Sequence, residues 1–437
     1  MTAELHDLHL PHQLTAANKT LVARYHCKSA HFTVTVPTSA LPLPVHLCHC
    51  TICRYTHGTL SCFHASLPKG VEPDFVSPSS IESSLTGYIH SAQAASERFF
   101  CATCGCHVGD RDLKPDPGTG KPEWRVATSI FAAHGEDTFQ IRSHAFTDPA
   151  TEPNLFTWLP SISGRPIHAW NPSSSETDKT PNHQTSSSLA SQAADPPADR
   201  NLLLAQCHCA GVRFTIPCPS PAEAADPYLR RYLRPDPTPS QSSDYTDDPS
   251  STVQAPNPLK RVAWICLCRD CRLVSGSHAV PWTFVPLARI RPQISTDQLE
   301  GRPGMGTGTM KVYRSSDGVR RTFCGVCGAT VLYLCDDQER LPSGSEEKRV
   351  VDVAVGILRD WEGRVAVEEW VTWRTGRLAG LESGREFDRG FAEALERGLK
   401  KWGVRRYGEK VSRESFAVLP PQANSCRSPS TAPLPRT

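Results

Sequence analysis

Cys266-Leu267-Cys268-Arg269-Asp270-Cys271-Arg272 and, further along, Arg321-Thr322-Phe323-Cys324-Gly325-Val326-Cys327-Gly328 decide how this chain is read. Turns of the C-x-C and C-x-x-C kind bring thiolates within reach of one metal ion. The same clusters occur earlier in the same order, as Cys48-His49-Cys50-Thr51-Ile52-Cys53-Arg54 and Arg98-Phe99-Phe100-Cys101-Ala102-Thr103-Cys104-Gly105. Ahead of each series stands a further cluster followed by a strand-like run: Cys27 before HFTVTV, and Cys207-His208-Cys209 before VRFTI. The chain therefore reads as two repeats of one cysteine-bearing unit.

The 437 residues are enough for two or three domains. Asn171 to Asp199 reads NPSSSETDKTPNHQTSSSLASQAADPPAD, almost without large apolar residues, so it cannot offset the entropy of ordering and is expected to be a disordered linker. A Pro-, Ser- and Asp-rich run over about 219–260 is expected to be a disordered insertion, and 411–437 a disordered tail. This leaves a first domain over 21–170, a linker over 171–200 and a second domain over 201–410. Short runs rich in Val, Ile, Phe, Tyr and Thr predict strands at Phe32 to Val36, Trp124 to Ile130, Phe139 to Ile141, Val212 to Ile216, Val280 to Val285, Val331 to Leu334 and Val350 to Val355. The fold class is mainly β. Helical spacing is clear from Phe387 to Trp402, where Phe391, Leu395 and Leu399 recur, and this helix is expected to be a C-terminal addition.

Lys and Arg total 47 against 45 Asp and Glu, a formal charge of +2, and no long block of like charge occurs. Nucleic-acid binding through bulk charge is thereby disfavoured, with only a small basic region at Arg405, Arg406 and Lys410. No run approaches the roughly 18 apolar residues a membrane helix needs, and Met1 to Leu10 lacks the pattern of a secretory signal. The expected location is the cytoplasm, with the nucleus open. In such a reducing compartment 18 cysteines are read as metal ligands or catalytic groups rather than disulfides.

Cys207 and Cys209 with Cys324 and Cys327 make a complete four-thiolate set that ties the start of a domain to its end, as a structural zinc staple does. Cys266, Cys268 and Cys271 supply only three thiolates, leaving a position where chemistry could occur. Three thiolates weaken a divalent ion as a Lewis acid, which disfavours water activation, while an incoming thiol is a soft ligand that zinc deprotonates. Histidines near the clusters, His49, His57, His208 and His278, read first as hydrogen-bonding residues rather than ligands. Arg98 and Arg321 either orient an anionic substrate or decorate a strand edge, the second being favoured. Gly58 and Gly276, five residues after each middle cluster, read as turns that let backbone approach the metal.

At these residues the sequence resembles the glutathione-dependent formaldehyde-activating enzyme and centromere protein V family. The shared pattern is C-x-C-G-x-V-x-F, then C-x-C-x-x-C-R-x-x-x-G, then R-x-F-C-x-x-C-G. The second unit matches it throughout, apart from Ala210 in place of the first Gly. The resemblance implies two tandem Mss4-like zinc-binding β domains with up to two zinc ions each. Cys207, Cys209, Cys324 and Cys327 would hold a structural zinc, and Cys266, Cys268 and Cys271 the catalytic one. In the first unit Cys48, Cys50 and Cys53 would hold the catalytic zinc and Cys27, Cys101 and Cys104 the structural one. Tyr25 stands where Cys207 stands in the second unit, so Cys106 or His26 is expected to supply the missing ligand, or the site is weak or empty. The polar segment near the domain end is present as Ser143-His144-Ala145-Phe146 in the first unit and degraded to Glu368-Glu369-Trp370-Val371 in the second. The implied activity is a zinc-dependent carbon–sulfur lyase, binding a thiol such as glutathione and adding it reversibly to an aldehyde such as formaldehyde. The alternative is a non-catalytic zinc-stabilised module that binds protein or nucleic acid.

Overall fold

The computed structural model describes residues 17–132, 134–147, 154–171, 199, 201–235, 259–300, 308–336, 348–359 and 369–408. The linker expected over 171–200 and the tail over 411–437 lie almost wholly outside the described residues, as does 236–258 of the expected insertion.

The strand His31–Pro37 alternates inward Phe32, Val34 and Val36 with outward Thr33 and Thr35, the period of a half-buried strand. It pairs antiparallel with Asn18–Arg24, whose Leu21 and Ala23 face the same core. An eight-stranded sheet follows, in the order His168–Trp170, Phe139–Ala145, Leu43–Cys48, Cys62–Ser66, Pro122–Ala127, His107–Pro115, Ser96–Cys101 and Leu85–Tyr88. Past residue 199 a second large sheet runs Leu233–Pro235, Leu259–Cys266, Val280–Pro286, Val350–Ala354, Thr330–Cys335, Val319–Cys324 and Met310–Ser316. Its Leu259–Cys266 strand also pairs in parallel with Val371–Trp373, as Leu43–Cys48 does with Phe139–Ala145. Among the described residues no sheet takes strands from both halves.

Two expectations need correction. The insertion expected from Pro219 onward is ordered as far as Pro235. The helix Pro221–Ala225 is closed by a capping box from Ser220 and Glu223, and the strand Leu233–Pro235 pairs with Leu259–Cys266. Tyr232 and Leu233 are buried there, and Glu223 pairs with the buried Arg261 at 2.9 Å, so a polar composition concealed a few well-placed anchors. The C-terminal helix, Arg389–Tyr407, is no mere addition. Its Trp402 packs on Trp158 and its Phe391 on Phe63, both in the first half, so it buries its apolar stripe across the molecule.

The halves meet through reciprocal contacts. His26 N donates to the Leu273 carbonyl at 3.4 Å and His208 N to the Tyr55 carbonyl at 3.1 Å. His26 Nδ1 lies 2.8 Å from the Tyr313 hydroxyl, and His208 Nδ1 lies 2.7 Å from the Tyr88 hydroxyl. Gly58 and Gly276, both left-handed helix C-caps, complete the pattern: a Cβ on Gly58 would strike the backbone of Thr330, and one on Gly276 the backbone of His107. These glycines are turn positions, as expected, but what they let approach is the other half rather than a metal. Such mutual contacts are those of an isologous interface written into one chain.

Candidate metal centres

Each middle cluster is built the same way. A strand ends in its first cysteine, Cys48 or Cys266. The second, Cys50 or Cys268, caps the helix Thr51–His57 or Arg269–Ser275. Its Sγ accepts the N–H of the third cysteine at 3.4 Å in both halves. The last pairs, Cys101/Cys104 and Cys324/Cys327, sit in turns between antiparallel strands, closed by Gly105 and Gly328 in the left-handed region.

The sulfurs of Cys207, Cys209, Cys324 and Cys327 all lie within 4.8 Å of one another, the four-thiol group that the spacing suggested. Cys27, Cys101 and Cys104 form the corresponding group of three. Lys28 at φ 59° and Ala210 at φ 58° occupy the same turn after Cys27 and Cys209, which explains why glycine suits that place. The fourth neighbour is neither Cys106 nor His26. Cys106 points its thiol to the His107 carbonyl at 3.6 Å, and His26 is turned to Tyr313 and Asp270. The Ser29 hydroxyl stands there instead, 2.8 Å from Cys27 Sγ and 3.3 Å from Cys101 Sγ. A neutral hydroxyl is a poorer zinc donor than a thiolate.

Cys266, Cys268 and Cys271 form a group of three within 4.8 Å. In the first half Cys48 Sγ is 3.4 Å from Cys50 Sγ, and Cys48 and Cys53 are joined within 4.8 Å by Cys62, a residue that spacing alone did not reveal. Cys62 sits directly across the strand pair from Cys48, where the second half has Val280 across from Cys266. The legible signal was strand register, since a residue opposite a ligand in a tight hairpin shares its face.

Arg98 and Arg321 are not decoration. They are 7% and 6% exposed, and Arg321 Nη1 donates to Cys271 Sγ at 3.4 Å while its guanidinium lies 4.7 Å from the Tyr333 ring centre. Burial opposes charge on both arginines, but the thiolates of Cys53 and Cys271 outweigh it and hold both above the ordinary guanidinium range. Hydrogen bonds from Cys48, Cys50 and Cys62, together with the Arg98 charge, hold Cys53 well below the ordinary thiol range. Cys271 is lowered likewise by Cys266, Cys268 and then Arg321. The third cysteine of each cluster is thus the thiol that its surroundings make easiest to ionise.

Among the described residues none of the four histidines near the clusters joins a cysteine group. His49 Nε2 lies 2.9 Å from His144 Nδ1, and His144 Nε2 must donate to the Leu159 carbonyl at 2.9 Å, so His144 Nδ1 accepts from His49. The Ser143-His144 segment therefore steadies the Cys48–Cys50 turn. His57 Nδ1 donates to the Cys53 carbonyl at 2.9 Å, His208 meets Tyr88 and His278 meets Thr128.

The surroundings of the two middle clusters differ sharply. Beside Cys48, Cys53 and Cys62 opens a cavity of about 560 Å³, walled by His46, His64, Arg98, Asp110, Arg125, Ser143 and Phe146 among others. Within it His64 Nδ1 is 3.0 Å from Asp110 Oδ2, and the Asp110 carboxylate also pairs with Arg125. Burial pushes the Asp110 carboxyl up, but Arg125 and His64 outweigh it and leave it well below the ordinary range. Beside Cys266, Cys268 and Cys271 only about 40 Å³ is left, bounded by Trp264, Trp282 and Tyr333. The first volume suits a small-molecule ligand, the second a water or two.

Residues 20–148, well under half of the chain, match the family model described as glutathione-dependent formaldehyde-activating enzyme. No curated protein and no solved structure matches the chain. No helix among the described residues is long and apolar enough to cross a membrane.

Proposed function

We propose that the cavity beside Cys48, Cys53 and Cys62 is a thiol-substrate site. On this reading the chain is a zinc-dependent enzyme of the carbon–sulfur lyase type, adding a thiol such as glutathione reversibly to an aldehyde such as formaldehyde. The carrying observation is the cavity of about 560 Å³, which brings His64, Arg98 and Asp110 to the same space as a thiol cluster inside the segment that matches the formaldehyde-activating family. In this reading 21–170 and 201–410 are two Mss4-like domains. Cys207, Cys209, Cys324 and Cys327 hold a structural zinc, Cys27, Cys101 and Cys104 a weaker one, and Cys48, Cys50 and Cys53 the working ion. Cys266, Cys268 and Cys271 hold an ion in a site too full for substrate. The donors fit zinc, being clustered soft thiols of which Cys53 is lowered below the ordinary thiol range by its neighbouring cysteines and Arg98.

When bound, zinc would acidify the incoming thiol and hold it as thiolate. Arg98 sets a buried positive charge against the cluster's negative one. As the C–S bond forms, the carbonyl π pair moves to oxygen, which then needs a proton. His64 would carry it: Asp110 holds Nδ1 as the N–H, so Nε2, buried at the cavity wall and without a hydrogen-bond partner among the described residues, would take the proton that the incoming thiol loses and pass it to that oxygen. In the reverse direction the same nitrogen would take the proton back.

Cys62 supports a second reading, because a fourth thiol closes the set and makes a staple of a non-catalytic binding module. Exchange NMR with glutathione and formaldehyde separates the two. Acceleration of adduct exchange over the uncatalysed rate, kept or raised in Cys62→Val, supports the enzyme. No acceleration by either protein supports the module.

A further inference from the structure

Away from the cysteines, three ligand-type side chains from separate elements meet where the halves join. His134 follows the turn Thr128–Ile130, His278 precedes the strand Val280–Pro286, and Asp388 links the helices Leu381–Phe387 and Arg389–Tyr407. One ligand atom of each lies within 4.8 Å of the other two. Both side chains of the histidine pair are about 2% exposed, yet among the described residues neither ring nitrogen of His134 nor Nδ1 of His278 has a hydrogen-bond partner. His134 Nδ1 stands 3.4 Å from Asp388 Oδ2 without bonding to it. The remaining atoms are already anchored: His278 Nε2 lies 2.9 Å from Thr128 Oγ1, and Asp388 Oδ1 accepts the Phe391 N–H at 3.0 Å. The rings of Phe63, Phe139, Phe387 and Phe391 wall the place in. Buried polar atoms left without partners are costly and call for an explanation, such as an ion.

We infer that His134, His278 and Asp388 form a metal site for one divalent transition ion, which pins the C-terminal helices to both halves. Two neutral imidazoles and a carboxylate are the donor set such ions take. Burial keeps both histidines neutral, His134 down to about 3, and raises Asp388 to about 6, which leaves it ionised at neutral pH. The nearby cation, Arg272, is stacked on Phe387 at 3.6 Å and donates to the Ser129 carbonyl. Its charge works against weakly held ions, so zinc, nickel or copper is favoured over magnesium or calcium. This inference does not depend on the proposed enzymatic reading.

Cobalt(II) loaded into the full chain tests it, because thiolate-bound cobalt gives an intense sulfur-to-metal band and a histidine–carboxylate site does not. Bound metal should exceed the thiolate-bound amount by one equivalent, and His278→Ala and Asp388→Asn should each lose that equivalent with the thiolate band unchanged. Equal metal content in wild type and variants would overturn the inference. Should a variant lose the thiolate band as well, cadmium NMR of the unaltered chain decides. A resonance at the position of nitrogen and oxygen ligands upholds the site, and sulfur-type resonances alone refute it.

Discussion

His64 and Trp282 hold the same place in the two halves: each lies opposite the residue two before the first cysteine of the middle cluster, His46 in one case and Trp264 in the other. Their neighbours follow suit. Arg98 faces Asp110 across its strand pair, and Arg321 faces Tyr333. Where the first half has a His64–Asp110 pair at 3.0 Å, the second has Trp282 and Tyr333 with ring centres 6.2 Å apart. One framework thus carries an open cavity with a His–Asp pair in its wall in one copy and an aromatic plug in the other.

If His64 moves the proton, His64→Ala should lower the accelerated exchange by about 100-fold or more while metal content stays constant. Asp110→Asn should do less and shift the pH profile, because it disturbs the orientation of His64 rather than removing its nitrogen. Unchanged rates in both would remove His64 from the reaction.

The clusters, the mainly β character and the four-thiol set were legible because short cysteine turns and two-residue alternation are local signals. Cys62, Ser29 and the buried roles of Arg98 and Arg321 were not, since each depends on strand register or on a turn returning from a distance. The asymmetry was unreadable for a related reason. His46, His64 and Asp110 lie outside the motifs, and only the sheet collects them around Cys48. The first unit, which lacks a structural cysteine, proves to own the cavity.

Gly276→Ala should destabilise the chain by about 1–3 kcal/mol, as φ 75° and a Cβ 2.5 Å from the His107 carbonyl oxygen both resist a side chain. Urea unfolding measures this. An unchanged midpoint would contradict the close approach of the halves.

Arg321→Leu leaves the buried Cys271 thiolate without its counter-charge, and a loss of about 3–5 kcal/mol is expected. Metal retention at the second cluster should fall with it, with Arg321→Lys intermediate. Full stability in the leucine variant would show that the arginine does not neutralise the cluster.

Burial lowers His107 and His208 to about 3 and His144 to about 4, whereas the unfolded chain takes up these protons near 6.5. The unfolded state therefore binds more protons between those limits, so this contribution is complete above about pH 6.5 and lost as pH falls, toward about 4 for His144 and about 3 for His107 and His208. The slope is about 1.4 kcal/mol per pH unit for each group. Urea midpoints should fall from about pH 7 to about pH 5, less steeply in His107→Gln. A flat profile would mean that these rings are not held neutral.

The most direct measurement compares Cys53→Ser with Cys271→Ser in glutathione–formaldehyde exchange, with metal content determined on the same samples. Both variants should hold less metal, but only Cys53→Ser should lose the acceleration, because the cavity opens onto Cys53 and aromatic rings fill the space beside Cys271. Loss of activity in Cys271→Ser with Cys53→Ser unaffected would contradict the assignment of the reaction to the first half.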